Sequence, residues 1–393
     1  MVRAAQYVFV MVCAVMLLTG AALAGDAPSV DLDWYGYLKL DGSYDQNQTS
    51  HGNFAMWVNP NSLDEDDAQF NMTANQTRLG VNAKGSGYGE VNLGGKIEFD
   101  LYGAVSGASV AENKAILQLR HAYFTIGKGN TQLLVGQSWD LISPLNPSTL
   151  NYPVLWGCGN MGYRRPQITA FQSFGSSKSK VTVAAGLFRT IGTDLTPTFS
   201  LATGETSDGS DDGTDAAIPS LQGRVDINHT FSSGAAVRVG ASGLWGQLRS
   251  ETNLGNHETY DSWVGSGHLN VSFPAGFGFA GEYYSGSNTG SYFGGILNAS
   301  TIDGVASAGF WGSAWAKVNS KVSLSAGYGL DDPDDADIAS GNRSENACFF
   351  GNVKYNIVPQ VTVGFEFSNW ETTYKDGDAV SSFRAQTSFV LNF

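Results

Sequence analysis

The strongest constraint on this chain is a period of two in apolar residues that recurs along its whole length and continues to the last residue. The final stretch places Phe383, Ala385, Phe389, Leu391 and Phe393 in one phase, and Arg384, Gln386, Ser388 and Asn392 in the other. Successive side chains of a β-strand point to opposite faces, so such a segment is apolar on one side and polar on the other. Three further segments show the phase clearly. Val91, Leu93, Gly95, Ile97 and Phe99 alternate with Asn92, Lys96, Glu98 and Asp100. Leu221, Val225 and Ile227 alternate with Gln222, Arg224, Asp226 and Asn228, and Val361, Val363, Phe365 and Phe367 oppose Thr362, Glu366 and Ser368. A soluble sandwich alternates too, with its polar face outward. A wall with lipid outside and water inside demands the same pattern.

The pattern predicts sixteen strands, near 34–43, 76–84, 89–100, 114–126, 131–139, 164–174, 178–190, 219–230, 235–249, 260–273, 277–286, 304–317, 321–330, 346–357, 360–371 and 380–393. Short Gly-, Ser- and Pro-containing turns join them at one end. Long connections (44–75, 140–163, 191–218, 287–303 and 331–345) join them at the other. The expected fold class is therefore all-β: a 16-stranded antiparallel transmembrane β-barrel with long extracellular loops and short periplasmic turns. Glycine (49) and aromatics (9 Trp, 16 Tyr, 22 Phe) fit this, and so does the scarcity of proline at 11. Trp34, Tyr283, Tyr328, Tyr355 and Phe393 fall at strand ends, where aromatic girdles sit. The segment 114–126 is ambiguous, because Leu117 and Leu119 share one face but Phe124 and Ile126 the other; a subunit interface would relax its pattern.

Arg3, the apolar run 8–18 and Ala22-Leu23-Ala24 read as a secretory signal peptide over 1–24, with a mature barrel over 25–393. The terminal Phe resembles the closing residue of bacterial outer-membrane barrels. Localisation in the outer membrane of a Gram-negative bacterium follows as an expectation, with lipid and lipopolysaccharide as partners. Nothing points to nucleic acid, a cofactor or a bound metal. The formal net charge is −14, and much of the acid lies in long connections: Asp45, Asp64, Glu65, Asp66 and Asp67, then Asp194, Glu205, Asp208, Asp211, Asp212 and Asp215, then Asp331 to Asp337. A solvated, self-repelling mouth is one reading; weak divalent-cation bridging to lipid headgroups is the other.

The interior reads differently. Lys39, Arg78, Lys96, Arg120, Arg224, Arg238, Lys354 and Arg384 fall in the lumen phase, joined by Arg165 in the strand that starts at Arg164, just past the 140–163 connection. The acids there are Asp41, Glu98, Asp100, Asp226, Glu282 and Glu366. Unpaired guanidinium groups in a narrow aqueous pore supply fixed positive charge and forked donors for carboxylate or phosphate. Alternatively each is neutralised by a neighbour, Lys96 by Glu98 and Arg224 by Asp226. Lys39, Arg78, Lys96 and Arg120 come from four consecutive strands and are expected to share one patch. The segment 140–163 is apolar and Pro-rich with Asp140 as its only charge, so it is expected to fold into the barrel and narrow it, with Trp156 packed inside. Cys158 in that segment and Cys348 in a strand either bond or pack independently.

No catalytic motif stands out. Gly276-Phe-Gly278-Phe-Ala-Gly281 matches a dinucleotide fingerprint only in letters, since it continues as a strand rather than a helix. His121 and His268 are the histidines placed to assemble with a serine across strands, as an outer-membrane hydrolase would require. A sugar-type channel would instead run Trp139, Tyr152 and Trp156 along its path.

Gly136-Gln137-Ser138-Trp139-Asp140, the Pro-, Asn- and Trp-rich loop after it, then Arg164-Arg165-Pro166-Gln167-Ile168 resemble the trimeric bacterial porins, most nearly the dicarboxylate-porin (DcaP-like) family. Trp34-Tyr35-Gly36-Tyr37-Leu38-Lys39-Leu40-Asp41 resembles that family's first strand. The resemblance implies a homotrimer, a third loop that forms the constriction, and passive diffusion of small polar solutes, with anions or carboxylates preferred. Lys39, Asp41, Arg78, Lys96, Arg120, Asp140, Trp156, Arg164 and Arg165 are the expected pore-lining and constriction residues. The family's N-terminal periplasmic coiled coil is not expected from residues 25–33.

Overall fold

The computed structural model describes residues 30–60, 67–87, 89–103, 115–192, 212–253, 256–298 and 304–393. The expected signal peptide over 1–24 and the acids Asp64, Glu65, Asp66, Asp194, Glu205, Asp208 and Asp211 lie outside these residues.

The chain forms one antiparallel sheet that closes on itself. Its strands are β1 (Val30–Asp45), β2 (Gln69–Thr73), β3 (Arg78–Ser86), β4 (Val91–Asp100), β5 (Gln118–Lys128), β6 (Thr131–Trp139), β7 (Arg164–Gly175), β8 (Ser179–Phe188) and β9 (Ser220–Thr230). They continue as β10 (Ala236–Asn253), β11 (Asn256–Ser272), β12 (Phe277–Ser287), β13 (Ala306–Lys317), β14 (Val322–Pro333), β15 (Arg343–Val358), β16 (Val361–Tyr374) and β17 (Ala379–Asn392). Both β2 and β3 pair with β1, so they are two halves of one stave and the barrel has sixteen. Closure comes from β1 and β17, with Tyr37 opposite Asn392 and Asp45 opposite Arg384. Gly36 and Phe393 exchange both backbone hydrogen bonds at 3.0 and 3.1 Å. Closure leaves no strand edge unpaired, which is what permits a sheet to stand in hydrocarbon. No helix among the described residues is long and apolar enough to span a membrane.

The outward phase is as expected. Trp34, Tyr283, Tyr328, Tyr355 and Phe393 are exposed, as are Leu221, Val225, Ile227, Phe365 and Phe367. The 114–126 ambiguity has a local cause. A β-bulge opposite Glu98 and Phe99 sets Arg120 and His121 in sequence on the same side, and both are buried. One extra residue reverses the phase of all that follow. No subunit interface is needed to explain it.

Large apolar side chains also point inward on β13 to β16, where Trp311, Phe350 and Trp370 are fully buried. They meet Ala55 and Val58 of one connection and Leu145, Leu155 and Cys158 of another in a single cluster. The hydrophobic core of this protein is thus the contact between inserted loops and the inner wall. The apposition is tight: a Cβ on Gly159 (φ +89°) would lie 1.9 Å from the Phe310 carbonyl oxygen. Cys158 and Cys348 sit in that cluster as free, buried thiols.

Two acids expected in the connections belong instead to strand ends and are buried, whereas Asp334 and Asp335 of the connection are exposed. Asp45 is buried and paired with Arg384 at 2.6 Å. Asp331 is buried, accepting from the Tyr284 hydroxyl and from the amides of Gly295 and Ile296, at 3.3 Å each. A charge enters the interior only where such donors wait for it.

Candidate functional site: a basic, aromatic constriction

Residues 140–163 turn into the lumen and are closed at their base by Asp140. Its backbone amide donates to the Tyr163 carbonyl at 2.8 Å, and its carboxylate accepts from the Tyr163 amide at 2.8 Å. Arg165 holds the same carboxylate at 2.9 Å, and Gln222 donates to it at 2.7 Å. Arg165 also stacks on Tyr292, 4.0 Å from the ring centre. Asp140 and Arg165 therefore fasten the loop and leave the charge of neither to the pore.

Two wall carboxylates hold the body of the loop. Glu282 accepts from the Leu145 amide at 2.8 Å, from Trp311 Nε1 at 3.1 Å and from the Ser143 hydroxyl. Glu366 accepts from the amides of Leu150 (2.6 Å) and Asn151 (3.1 Å), from Thr149 (2.7 Å) and from Asn352 (2.9 Å). Inserted backbone must find partners, and ionised acceptors are the strong ones. Lys39 is drawn into the same work. It pairs with Asp41 at 3.2 Å and donates to the Leu150 carbonyl at 3.2 Å. Asp41 in turn accepts from Gln386 at 3.1 Å and from Ser388. The expected four-cation patch is thereby reduced: Lys39 and Asp41 lie buried behind the loop rather than on the channel.

Between this loop and strands β3 to β7 lies a cavity of about 350 Å³. Arg78, Lys96, Arg120 and Arg164 line it with Glu98, His121, Trp139, Tyr152 and Trp156. Arg120 is spent, at 2.7 Å from Glu98 and 2.6 Å from Asp100. Arg78 is looser, 3.7 Å from Glu98 and 3.9 Å from Asp100, and Lys96 stands 3.4 Å from Glu98. Arg164 pairs with no carboxylate among the described residues. It lies between Trp139 and Tyr163, 4.6 and 4.4 Å from the ring centres, and Nε, Nη1 and Nη2 are buried without a hydrogen-bond partner. Four cations thus face two carboxylates, and the uncompensated charge is concentrated on Arg164 and Arg78.

Trp156 is buried and stacks on Phe293 at 4.6 Å and 16°, with Tyr152, Trp139 and Tyr163 around it. Burial and Asp100 raise the Tyr152 phenol to about 12, so it stays neutral beside the cations. Phe293 comes from residues 288–298, which also line the interior: Gly157 and Gly162 donate to the carbonyls of Phe293 (2.8 Å) and Tyr292 (2.6 Å). That segment reads as a polar connection in sequence. Its Tyr292, Phe293, Ile296 and Leu297 are the signal that it is not.

The histidines separate. His121 Nδ1 lies 3.4 Å from Ser138 Oγ, and Glu98 beside it is engaged by Tyr35, Arg120 and Lys96. His268 pairs with Asp226 on another sector of the wall. A serine partner and an acid partner fall to different histidines.

No protein-family model matches the sequence, and no curated protein matches it. Solved structures do. The outer-membrane channel DcaP of Acinetobacter baumannii is 17% identical, with 95% of this chain and 100% of that one covered, at a TM-score of 0.71. An anion-selective porin from Comamonas acidovorans is 10% identical, covering 93% and 100%, at 0.60. A trimer form of OmpT, an outer-membrane protein of Vibrio cholerae, is 13% identical, covering 93% and 100%, at 0.53. At these identities the likeness is one of fold: the chain is a closed sixteen-stranded barrel resembling the DcaP channel and other outer-membrane porins.

Proposed function

We propose that this protein is an outer-membrane porin, a water-filled channel for passive diffusion of small polar solutes, with anions and carboxylates preferred. Residues 1–24 are its export signal, residues 25–393 its barrel, and its setting is the outer membrane of a Gram-negative bacterium, in contact with lipid and lipopolysaccharide. The trimer form of OmpT and the resemblance to trimeric porins support a homotrimer. The observation that carries the anion preference is Arg164: a buried guanidinium, stacked between two rings in the lining of the constriction cavity, with no acceptor of its own among the described residues. Selectivity in a pore is set by the fixed charges that line its narrowest part, and a planar guanidinium offers carboxylate two parallel donors. The test is reversal potential across a planar bilayer in asymmetric potassium chloride. The wild-type pore is expected to favour anions, and Arg164→Gln to move it toward cations with the barrel intact. A wild-type pore that clearly favours cations overturns the reading, because the acidic mouth then dominates.

A further inference from the structure

A second basic group lines the lumen on β9, β10 and β11, apart from the constriction cavity. Register sets Gly240 opposite both Asp226 and His268, Ser242 opposite Arg224, and Arg238 opposite Asn228 and Asn270. One carboxylate is the shared acceptor. Asp226 accepts from Arg224 Nε at 2.7 Å, from Arg238 Nε at 2.7 Å and from His268 Nε2 at 2.9 Å. Arg224 gives Nη1 to the Leu141 carbonyl at 3.1 Å. Arg238 is tied through Nε alone, and its side chain is 30% exposed, so its terminal fork faces the lumen. Glu282 of β12, opposite His268, lies near both guanidinium groups, but its hydrogen bonds go to Ser143, Leu145 and Trp311, so Arg238 is the group whose terminal donors stay open.

The location is distinct. Arg238 is the third residue of β10, just inside the short turn 231–235. Asn228, opposite it, is also opposite Lys180 of β8. Lys180 is exposed and lines a cavity of about 640 Å³ at the same rim, with Thr182, Ser173 and Gln132. Lys180, Asn228, Arg238 and Asn270 thus form one row on the inner wall that contains no acid.

We infer that this row is a second anion station, at the short-turn mouth of the channel. It would take the oxyanion group of a small solute between the Arg238 fork, the Asn228 amide and the Lys180 ammonium. An anion crossing the pore exchanges between Arg164 at the constriction and Arg238 near the other mouth, so no single site holds it too tightly to leave. This rests on the anion-preferring reading above, and the test separates the two.

Single channels are recorded in chloride, with inorganic phosphate added to one side at a time. Phosphate added from the short-turn side is expected to reduce the wild-type current in a saturable way. Arg238→Gln should weaken that block about tenfold, the worth of one charge-assisted hydrogen bond, and Arg238→Lys should fall between. Lys180→Gln, on an exposed side chain, should weaken it without any question of folding. Block from the loop side should follow Arg164→Gln instead. If Arg238→Gln and Lys180→Gln leave the short-turn block unchanged while loop-side block and anion preference persist, the second station is refuted alone. If phosphate acts from neither side and the pore favours cations, both readings fall.

Discussion

Replacing Glu366 by Ala should release the constriction loop without unfolding the barrel. Glu366 accepts two backbone amides of the loop, Leu150 at 2.6 Å and Asn151 at 3.1 Å, and the Thr149 hydroxyl at 2.7 Å. Each buried donor left without an acceptor costs roughly 1–3 kcal/mol, so the two amides alone set a docking penalty of about 2–6 kcal/mol. Even a value near 3 kcal/mol shifts a docked-to-released ratio by about two orders of magnitude. The loop base remains closed by Asp140 and Arg165, and no strand-to-strand backbone bond involves the Glu366 side chain. Single-channel recording should therefore show larger conductance and rapid current fluctuation, with unchanged circular dichroism. Glu366→Gln keeps the shape but turns one acceptor into a donor, so it should be intermediate. Quiet channels of wild-type conductance from a folded Ala variant would refute the reasoning, because they would mean that Glu282 and the apolar contacts hold the loop without Glu366.

Trp156→Ala removes the ring stacked on Phe293 and costs about 3–5 kcal/mol in a packed site; it should widen the pore, read as a higher solute-size limit in liposome swelling. Cys158 and Cys348 are free thiols, so intact mass after denaturing alkylation without reductant should show two adducts; none would mean the loop is covalently fastened to β15. Burial, with Arg343 nearby, lowers His51 from 6.5 to about 4. The unfolded segment therefore binds the proton first, and the contribution of His51 to docking of residues 46–60 is complete above about pH 6.5 and is lost as pH falls toward 4. Current noise should rise over that window in wild type, and His51→Phe should flatten the rise.

Much of the barrel was legible in the chain because period two is a local property. Whether Leu221 or Gln222 faces lipid depends on the next residue and on the solvent on each side, and sixteen such segments suffice to count the staves. The break over 74–77 and the bulge at Arg120 and His121 were not legible, since each needs a partner strand to be seen against. Loop insertion at 140–163 could be read from its apolar, Pro-rich composition. The insertion of residues 288–298 was masked by its small and polar neighbours.

The charges divide in the same way. Sequence alone put Lys39, Arg78, Lys96, Arg120 and Arg164 in or near the lumen, and it put Glu98, Asp100, Glu282 and Glu366 there too. Only the tertiary structure decided which of them remain available. Glu282 and Glu366 are consumed by loop amides that lie more than a hundred residues away in the chain, Lys39 by Asp41 and Leu150, and Arg165 by Asp140. Arg164, next to Arg165 in sequence, is left without an acceptor. Side-chain phase is set by neighbours along the strand, whereas compensation of a charge is set by whichever donor or acceptor the folded loops bring within about 3 Å, and adjacent residues of the same type can meet opposite fates.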